Sequence, residues 1–442
     1  DPEQEYFSDG LTEELLNLLT GVKELKVAAR TSSFFYKDKR DVIPLTQIAK
    51  DLSVTHVLEG SVRKGGDQIR ITAQLIKTDD GFHVWSHTWD RNMDDVFAIQ
   101  DEIAAKVVEA LKIVLLDETP HARVLNTESF ELALRGRYYF QRREEGDLRR
   151  ALSFFEQAVE LDPENATAWV GLAPLYVWLP DPPDLVRARN AAEKAVALDP
   201  DNPEAHARLA MTLFSIGERD AAGPEWQKAL ELGQNNALVL SMEAGFRLNF
   251  YRDPEGAVEM QRRAVKADPM YLVNYGNLIS YLELVGRFDE AIEVSTRALE
   301  ISPGNVSTLV HLARLALWQG RPEEALEMLE SLPDDRERSY VLVLASFSAG
   351  DQVASDTALT AYERKYRDNR EAYVASGGDF TMEMAAMHAW RGEYDQAFEL
   401  MLSWQHLGDR QGYWWTLVPA FGPAHKDPRW AEVVAHWDDA AD

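Results

Sequence analysis

The chain has 442 residues, 45% of them apolar and 27% charged, with no cysteine and a formal net charge of −28. So negative a surface argues against direct nucleic-acid binding by this chain, and the missing cysteines remove disulfides, thiolate zinc sites and cysteine nucleophiles. No apolar run approaches the roughly 18 residues of a membrane helix, and the first residues are no signal peptide.

The acidity is uneven. Residues 1–117 carry 14 Lys and Arg against 21 Asp and Glu, or −7, which leaves −21 for the remainder. The opening Asp1-Pro2-Glu3-Gln4-Glu5 reads as a loop. Residues 8–20 read as a helix with Leu11, Leu15, Leu18 and Leu19 as its apolar stripe and Asp9, Glu13 and Glu14 as acidic groups at its start. Residues 25–30 read as a strand and 44–52 as a short helix opened by Pro44, with Leu45, Ile48, Ala49 and Leu52 inward.

Three strands follow, at 55–64, 67–77 and 82–91. Gly65-Gly66 makes a tight hairpin between the first two, and Asp79-Asp80-Gly81 turns into the third. In the middle strand Ile69, Ile71, Ala73 and Leu75 alternate with Arg70, Thr72, Gln74 and Ile76, so one face is buried. A helix over 95–116 presents Val96, Ile99, Ile103, Val107 and Leu111. The expectation is an α/β domain with an antiparallel meander, spanning 1–117.

This domain offers little chemistry. His83 and His87 share a strand face and His56 lies on a neighbouring strand, but four residues of strand span about 13 Å, too far for one ion. Thr31-Ser32-Ser33 could offer hydroxyls and N–H groups to an anion, without a phosphate-binding loop around it. No catalytic residue, metal site or cofactor is expected.

The stretches DPEQEYFSDGLTEELLNLL, KVAARTSSFFYK, THVLEGSVRKGGDQIRITAQLI and FAIQDEIAAKVVEAL resemble the TolB-amino-terminal-like domain of bacterial proteins with tetratricopeptide repeats. Such domains commonly sit behind a winged-helix domain, as in CadC-like regulators, or behind a class III adenylate cyclase domain, often with one transmembrane helix between. The family usually has an apolar strand before the Asp-Pro-Glu loop, so the resemblance implies a fragment of a longer protein whose missing strand would join this sheet.

Residues 118–127 read as a linker, and the rest is repetitive. Ala151, Ala188, Ala222, Ala257, Ala291 and Ala325 are spaced by 37, 34, 35, 34 and 34 residues, and the first five are each followed seven residues on by another alanine. Self-similarity at about 34 residues with helical periodicity indicates tetratricopeptide repeats, an all-α superhelix. Helical pairs are expected near 128–163, 166–200, 204–232, 236–268, 271–303, 306–332, 338–366 and 380–407, about eight within 128–412. Gly217, Gly286, Gly320 and Gly392 make matching turns, and the first two units have longer turns at 144–147 and 180–183. Ala358, 33 residues beyond Ala325, marks a degenerate unit, and residues 368–379 break the pattern. The tail, 413–442, carries Tyr413, Trp414, Trp415, Phe421, Trp430 and Trp437 and reads as a cap over the last repeat, with an aromatic binding site as the alternative.

Repeat arrays bind partners on a concave face lined by the first helix of each unit. By register, that face offers Arg208, Met211, Met242, Phe246, Asn249, Asn277, Ser280, His311, Arg314 and Trp318. Arg and Asn suit a peptide's carboxylate and carbonyls, and Phe246 or Trp318 could anchor an apolar side chain. The expected function is a non-catalytic sensory or protein-interaction module of a membrane-anchored signalling protein. It would bind a protein or peptide, touch the membrane only through an upstream helix, and lie in the periplasm, or alternatively the cytoplasm. A homodimer is compatible with this. The competing expectation is a free-standing periplasmic adaptor or assembly chaperone.

Overall fold

The computed structural model describes residues 2–20, 25–37, 39, 42–65, 68–111, 126–142, 146–179, 184–249, 251–367, 380–404 and 412–439. It divides into two compact units. One comprises Asp1–Asn236 with Ala267–Pro269, the other Ala237–Lys266 with Met270–Asp442.

The first unit opens with helix α1, Pro2–Thr20, so the opening residues are helical rather than a loop. Helix α2, Arg30–Phe35, and helix α3, Leu45–Leu52, follow. The expected strand at 25–30 does not form. Leu25 and Val27 pack on the core, but among the described residues the sheet consists of β1 His56–Gly65, β2 Gln68–Lys77 and β3 His83–Asn92, antiparallel in that order. Gly66 lies outside the described residues; Gly65 pairs with Gln68.

The alternation in β2 holds for Ile69, Ile71, Ala73 and Leu75, all buried. It fails at Ile76, which is also buried because the β2–β3 register shifts between Leu75 and Ile76. Such a bulge re-aims a side chain. Helix α4, Val96–Ala110, covers the sheet with Val96, Ile99, Ile103 and Val107. The rest of the helix expected to 116, and most of the linker, lie outside the described residues.

Six helices complete this unit as three pairs: α5 Thr127–Arg142 with α6 Asp147–Leu161, α7 Ala166–Trp178 with α8 Leu185–Leu198, and α9 Pro203–Ser215 with α10 Arg219–Leu232. Helices α1 and α5 pack together, and a Cβ placed on Gly10 would come within 2.5 Å of Leu134, so the closest approach requires glycine.

The second unit adds α11 Ala237–Asn249 with α12 Pro254–Ala267, α13 Leu272–Leu284 with α14 Phe288–Ile301, and α15 Val306–Trp318 with α16 Pro322–Glu330. It continues with α17 Arg336–Ser348 and α18 Gln352–Arg367, then α19 Phe380–Trp390 and α20 Tyr394–Ser403. Helix α21, Gly412–Leu417, a 3₁₀ segment Pro419–Lys426 and helix α22, Trp430–Asp439, end it.

The fold is thus a small three-stranded antiparallel sheet with helices, followed by tetratricopeptide repeats. Five of the pairs turn alike. Gly286 N–H donates to Glu283 O and Arg287 N–H to Leu282 O, and the same two bonds recur at Gly217, Gly320, Gly350 and Gly392. All five glycines have φ between +74° and +85°, a region closed to most side chains. Five residues after each comes a small buried residue: Ala222, Ala291, Ala325, Ser355 and Ala397. In the seventh pair that residue is Ser355, not Ala358, which is only half-buried.

Four of the units close on an Asp-Pro or Ser-Pro step, at Asp162-Pro163, Asp199-Pro200, Asp268-Pro269 and Ser302-Pro303. In three of them the next residue but one is an asparagine that caps the following helix. Asn165 accepts from Ala168 N–H, Asn202 from Glu204 and Ala205, and Asn305 from Thr308. Each such cap stabilises its helix by about 1 kcal/mol.

Candidate partner-binding face

Within the second unit the first helices of successive pairs, α13, α15, α17 and α19, neighbour one another. Three of the predicted residues meet here on one carboxylate. Glu283, near the end of α13, is buried. Arg314 donates to it from Nε at 2.7 Å and Nη2 at 3.1 Å, Trp318 donates from Nε1 at 3.3 Å, and His311 Nδ1 lies 3.0 Å away. Burial would push the Glu283 pKa up, but Arg314 and His311 hold it below the usual glutamate range. The His311 Nδ1 atom also lies 2.6 Å from Arg314 Nη2. Protonated, Nδ1 donates to Glu283; bare, it accepts from Arg314; it cannot do both.

A second hub repeats this chemistry one step along. Arg336 of α17 and the Tyr362 hydroxyl of α18 both donate to the buried Glu383 of α19. Between the hubs, Trp318 meets Trp390 edge to face at 5.2 Å, and Trp390 Nε1 donates to Ser348 Oγ at 2.9 Å. Carboxylate, guanidinium and indole groups are thus fixed in place across four helices.

The other predicted residues of this unit are placed differently. Asn277 is drawn inward: its Nδ2 reaches Ser241 Oγ at 3.4 Å, and Ser241 donates to the buried Gln261, which bonds Asn274. Phe246 is buried against Tyr251, with ring centroids 5.2 Å apart. Asn249 donates to Gly245 O, and its Oδ1 is buried with no partner among the described residues. Met242 and Ser280 are half-buried. In the first unit, Met211 is 41% exposed, whereas Arg208 is buried, bonds Glu204 at 3.1 Å and has no partner for its Nε among the described residues.

Sequence reasoning missed Glu283, Glu383 and Trp390. A glutamate in the apolar run LISYLELVG was the available signal for Glu283. It also misplaced an acidic cluster of the first unit. Asp9, Glu13 and Glu14 lie within α1, not at its start, and they are ion-paired: Asp9 with Lys37, Glu13 with Arg30, and Glu13 and Glu14 with Arg137. Burial lowers the Arg137 pKa, but Glu13, Glu14 and Glu204 outweigh it and hold it above the ordinary arginine value. Thr31-Ser32-Ser33 starts a helix, and its anion is internal: Ser32 Oγ donates to Asp268 at 2.5 Å. His87 stands edge-on to Trp89 at 4.6 Å, and His56 Nδ1 lies 3.0 Å from Thr55 Oγ1.

In the tail, Trp415 and Phe421 are buried in the core shared with Met387 and Phe398. Tyr394 donates to Pro423 O, and Arg429 pairs with Asp395 at 2.7 Å. The side chains of Tyr413, Trp414 and Trp437 lie outside the described residues.

Comparison with known proteins matches tetratricopeptide-repeat family profiles at residues 142–182, 184–237 and 284–345. A Rhizobium meliloti (strain 1021) protein named "Putative adenylate cyclase 3" is 37% identical over 177 residues, which is 39% of this chain and 30% of that protein. The match therefore spans less than a third of that relative's length. Among solved structures, Pseudomonas aeruginosa PilF is 21% identical with a TM-score of 0.38, over 47% of this chain and 95% of PilF. YrrB, a tetratricopeptide-repeat protein with an unusual peptide-binding site, is 22% identical with a TM-score of 0.30, over 46% of this chain and 96% of YrrB. Among the described residues no helix is long and apolar enough to cross a membrane.

Proposed function

We propose that this chain is the partner-binding part of a larger bacterial signalling protein and that it takes a protein or peptide on the first-helix face of its repeats. The observation that carries this is the row α13, α15, α17 and α19, which holds the Glu283 and Glu383 hubs and the Trp318–Trp390 pair in fixed positions. Fixed polar and aromatic groups lower the ordering cost of binding.

On this reading the chain supplies no catalytic group, and residues 1–117, read as TolB-amino-terminal-like, pass the binding signal to an effector. The 37% identity to a relative named as a cyclase favours an adenylate cyclase over a winged-helix regulator. The same reading puts the repeats in the periplasm, anchored through a helix elsewhere in the complete protein.

A photo-crosslinking residue at Ser280, on the first-helix face, should capture a discrete partner in cells. The same residue at the exposed Glu327 of α16 should not. Equal capture from both positions, or from neither, overturns the reading. In spheroplasts producing the complete protein, added protease should cut the repeats; protection would place them in the cytoplasm.

A further inference from the structure

In the first unit the first helices α5, α7 and α9 likewise neighbour one another, and one side chain on that row stands apart. The side chain of Arg208, on α9, is only 9% exposed. Yet its guanidinium makes one hydrogen bond among the described residues, from Nη2 to Glu204 Oε1 at 3.1 Å, and its buried Nε makes none. Arg391 and Arg314 show the filled form. Arg391, 4% exposed, bonds Ser355, Asp356 and Glu393 from Nε, Nη1 and Nη2, and Arg314 holds Glu283 with Nε and Nη2 together. Two N–H groups side by side match the two oxygens of a carboxylate. At Arg208 half of that fork is empty, and a buried donor left without an acceptor is costly.

Glu204 is a poor occupant of the fork. It lies one turn before Arg208 on the same helix, reaches only Nη2, and keeps its side chain 34% exposed. Its departure strands no other charge. Arg137, whose charge Glu204 also offsets, keeps Glu14 at 2.8 Å and Glu13 at 3.3 Å. Glu204, Arg208, Met211 and Ser215 follow at spacings of 4, 3 and 4 residues and so share one face of α9. Met211 is 41% exposed, so this face is open to solvent one turn beyond the guanidinium. An ion pair formed at so buried an arginine is stronger than one in water.

We propose that Glu204 is an internal placeholder on Arg208, and that a carboxylate of the partner displaces it and takes Nε and Nη2 together, with an adjoining apolar group against Met211. This rests on the proposed partner-binding function and specifies what the partner presents. The displaced Glu204 turns to solvent but stays near the incoming carboxylate. Its charge therefore opposes binding, and only a carboxylate that fills both arms of the fork replaces it. An acidic side chain and a free chain end carry the same group.

The test uses the full chain with its arginines isotope-labelled for NMR, the Arg208 Nε–H signal being assigned by its loss in Arg208→Lys. Acetate, a bare carboxylate, should shift that signal along a saturable curve and acetamide should not, while the Arg314 signal, already on Glu283, stays in place. In Glu204→Gln acetate should bind at least about fivefold more tightly, because a like charge has left the site. Acetyl-Ala-Leu with a free C-terminus and acetyl-Ala-Asp-Leu amide then separate a chain end from an acidic side chain, and acetyl-Ala-Leu amide should leave the signal unmoved. No shift with any of the carboxylates, or equal acetate binding by a Glu204→Gln chain with unchanged circular dichroism, overturns the inference. Should Glu204→Gln fail to fold, Glu204→Ala replaces it, with a gain in the same direction expected and no gain overturning it. Loss of the carboxylate result while Ser280 still captures a partner removes the role of Arg208 alone; loss of both removes the partner-binding reading as well.

Discussion

Arg314 grips Glu283 with two nitrogens, at 2.7 and 3.1 Å, and both side chains are withdrawn from water, at 16% and 5% exposure. A buried pair of this kind is weak evidence for net stability, yet removing one member leaves the other charge stranded. Glu283→Met and Arg314→Met should therefore each cost about 3 kcal/mol. The double variant Glu283→Met/Arg314→Met should cost less than either single change, and urea titrations of the four proteins give the coupling. The pH dependence has a definite sign. Because the folded-state pKa of Glu283 lies below the unfolded value, its stabilisation is complete above the ordinary glutamate range and is lost as pH falls through the folded value. Glu283→Gln should abolish that acid-side loss.

The turn between α11 and α12 breaks the pattern of its neighbours. Arg252 stands five residues before Ala257, the place held by glycine at Gly217, Gly286, Gly320, Gly350 and Gly392, and its φ is +52°. A side chain in that region costs about 1–2 kcal/mol, and glycine returns part of this as extra freedom in the unfolded chain. Arg252→Gly should stabilise the protein by about 0.5–1 kcal/mol, visible as a higher urea midpoint at unchanged slope. An unchanged midpoint would mean that the arginine's own contacts offset the strain.

Much of this architecture was legible in the sequence, and the misses share a cause. The three strands and the repeat alanines follow from local alternation and spacing, which burial enforces directly. The segment 25–30 opens with Leu25 and Val27 alternating around Lys26, but alternation reports burial rather than pairing, and both pack, partly buried, on the core without pairing to the described sheet. Ser355 was overlooked for Ala358 because α16 has only 9 residues, which shortens the repeat so that a 34-residue ruler overshoots. On the candidate face, His311, Arg314 and Trp318 were found by register. Glu283, which gathers them, was not, since a single sequence does not separate a buried glutamate from a surface one.

Asp268 should behave oppositely to Glu283. Burial raises its pKa, only partly countered by the hydroxyls of Ser32 and Thr31, the Ser32 N–H and the charge of Arg30. The folded state therefore holds its proton more tightly than the unfolded chain. Its contribution to stability declines as pH rises from the ordinary aspartate value through the folded one. Asp268→Asn should remove that decline, while Ser32→Ala should cost about 1–2 kcal/mol near neutral pH by leaving the carboxylate short of a donor. Stability measured from pH 3 to 7 in both variants checks the sign; a steeper decline in Asp268→Asn would contradict it.

The position five residues after each turn decides how closely the two helices of a pair approach. Ala291 is fully buried there, and Ser355 is too, donating to Val343 O at 3.0 Å and accepting from Arg391 at 2.7 Å. A leucine at either site must wedge the pair apart, at a cost of about 2–3 kcal/mol. Ala358, half-buried, should take leucine for less than about 1 kcal/mol. Because each repeat leans mainly on its neighbours, Ala291→Leu and Ser355→Leu should loosen hydrogen exchange in the substituted pair and the flanking ones, and leave the β-sheet amides unchanged. If Ala358→Leu proved as costly as Ser355→Leu, the five-residue rule would fail in the seventh pair, and the 34-residue spacing would be the better guide to its register.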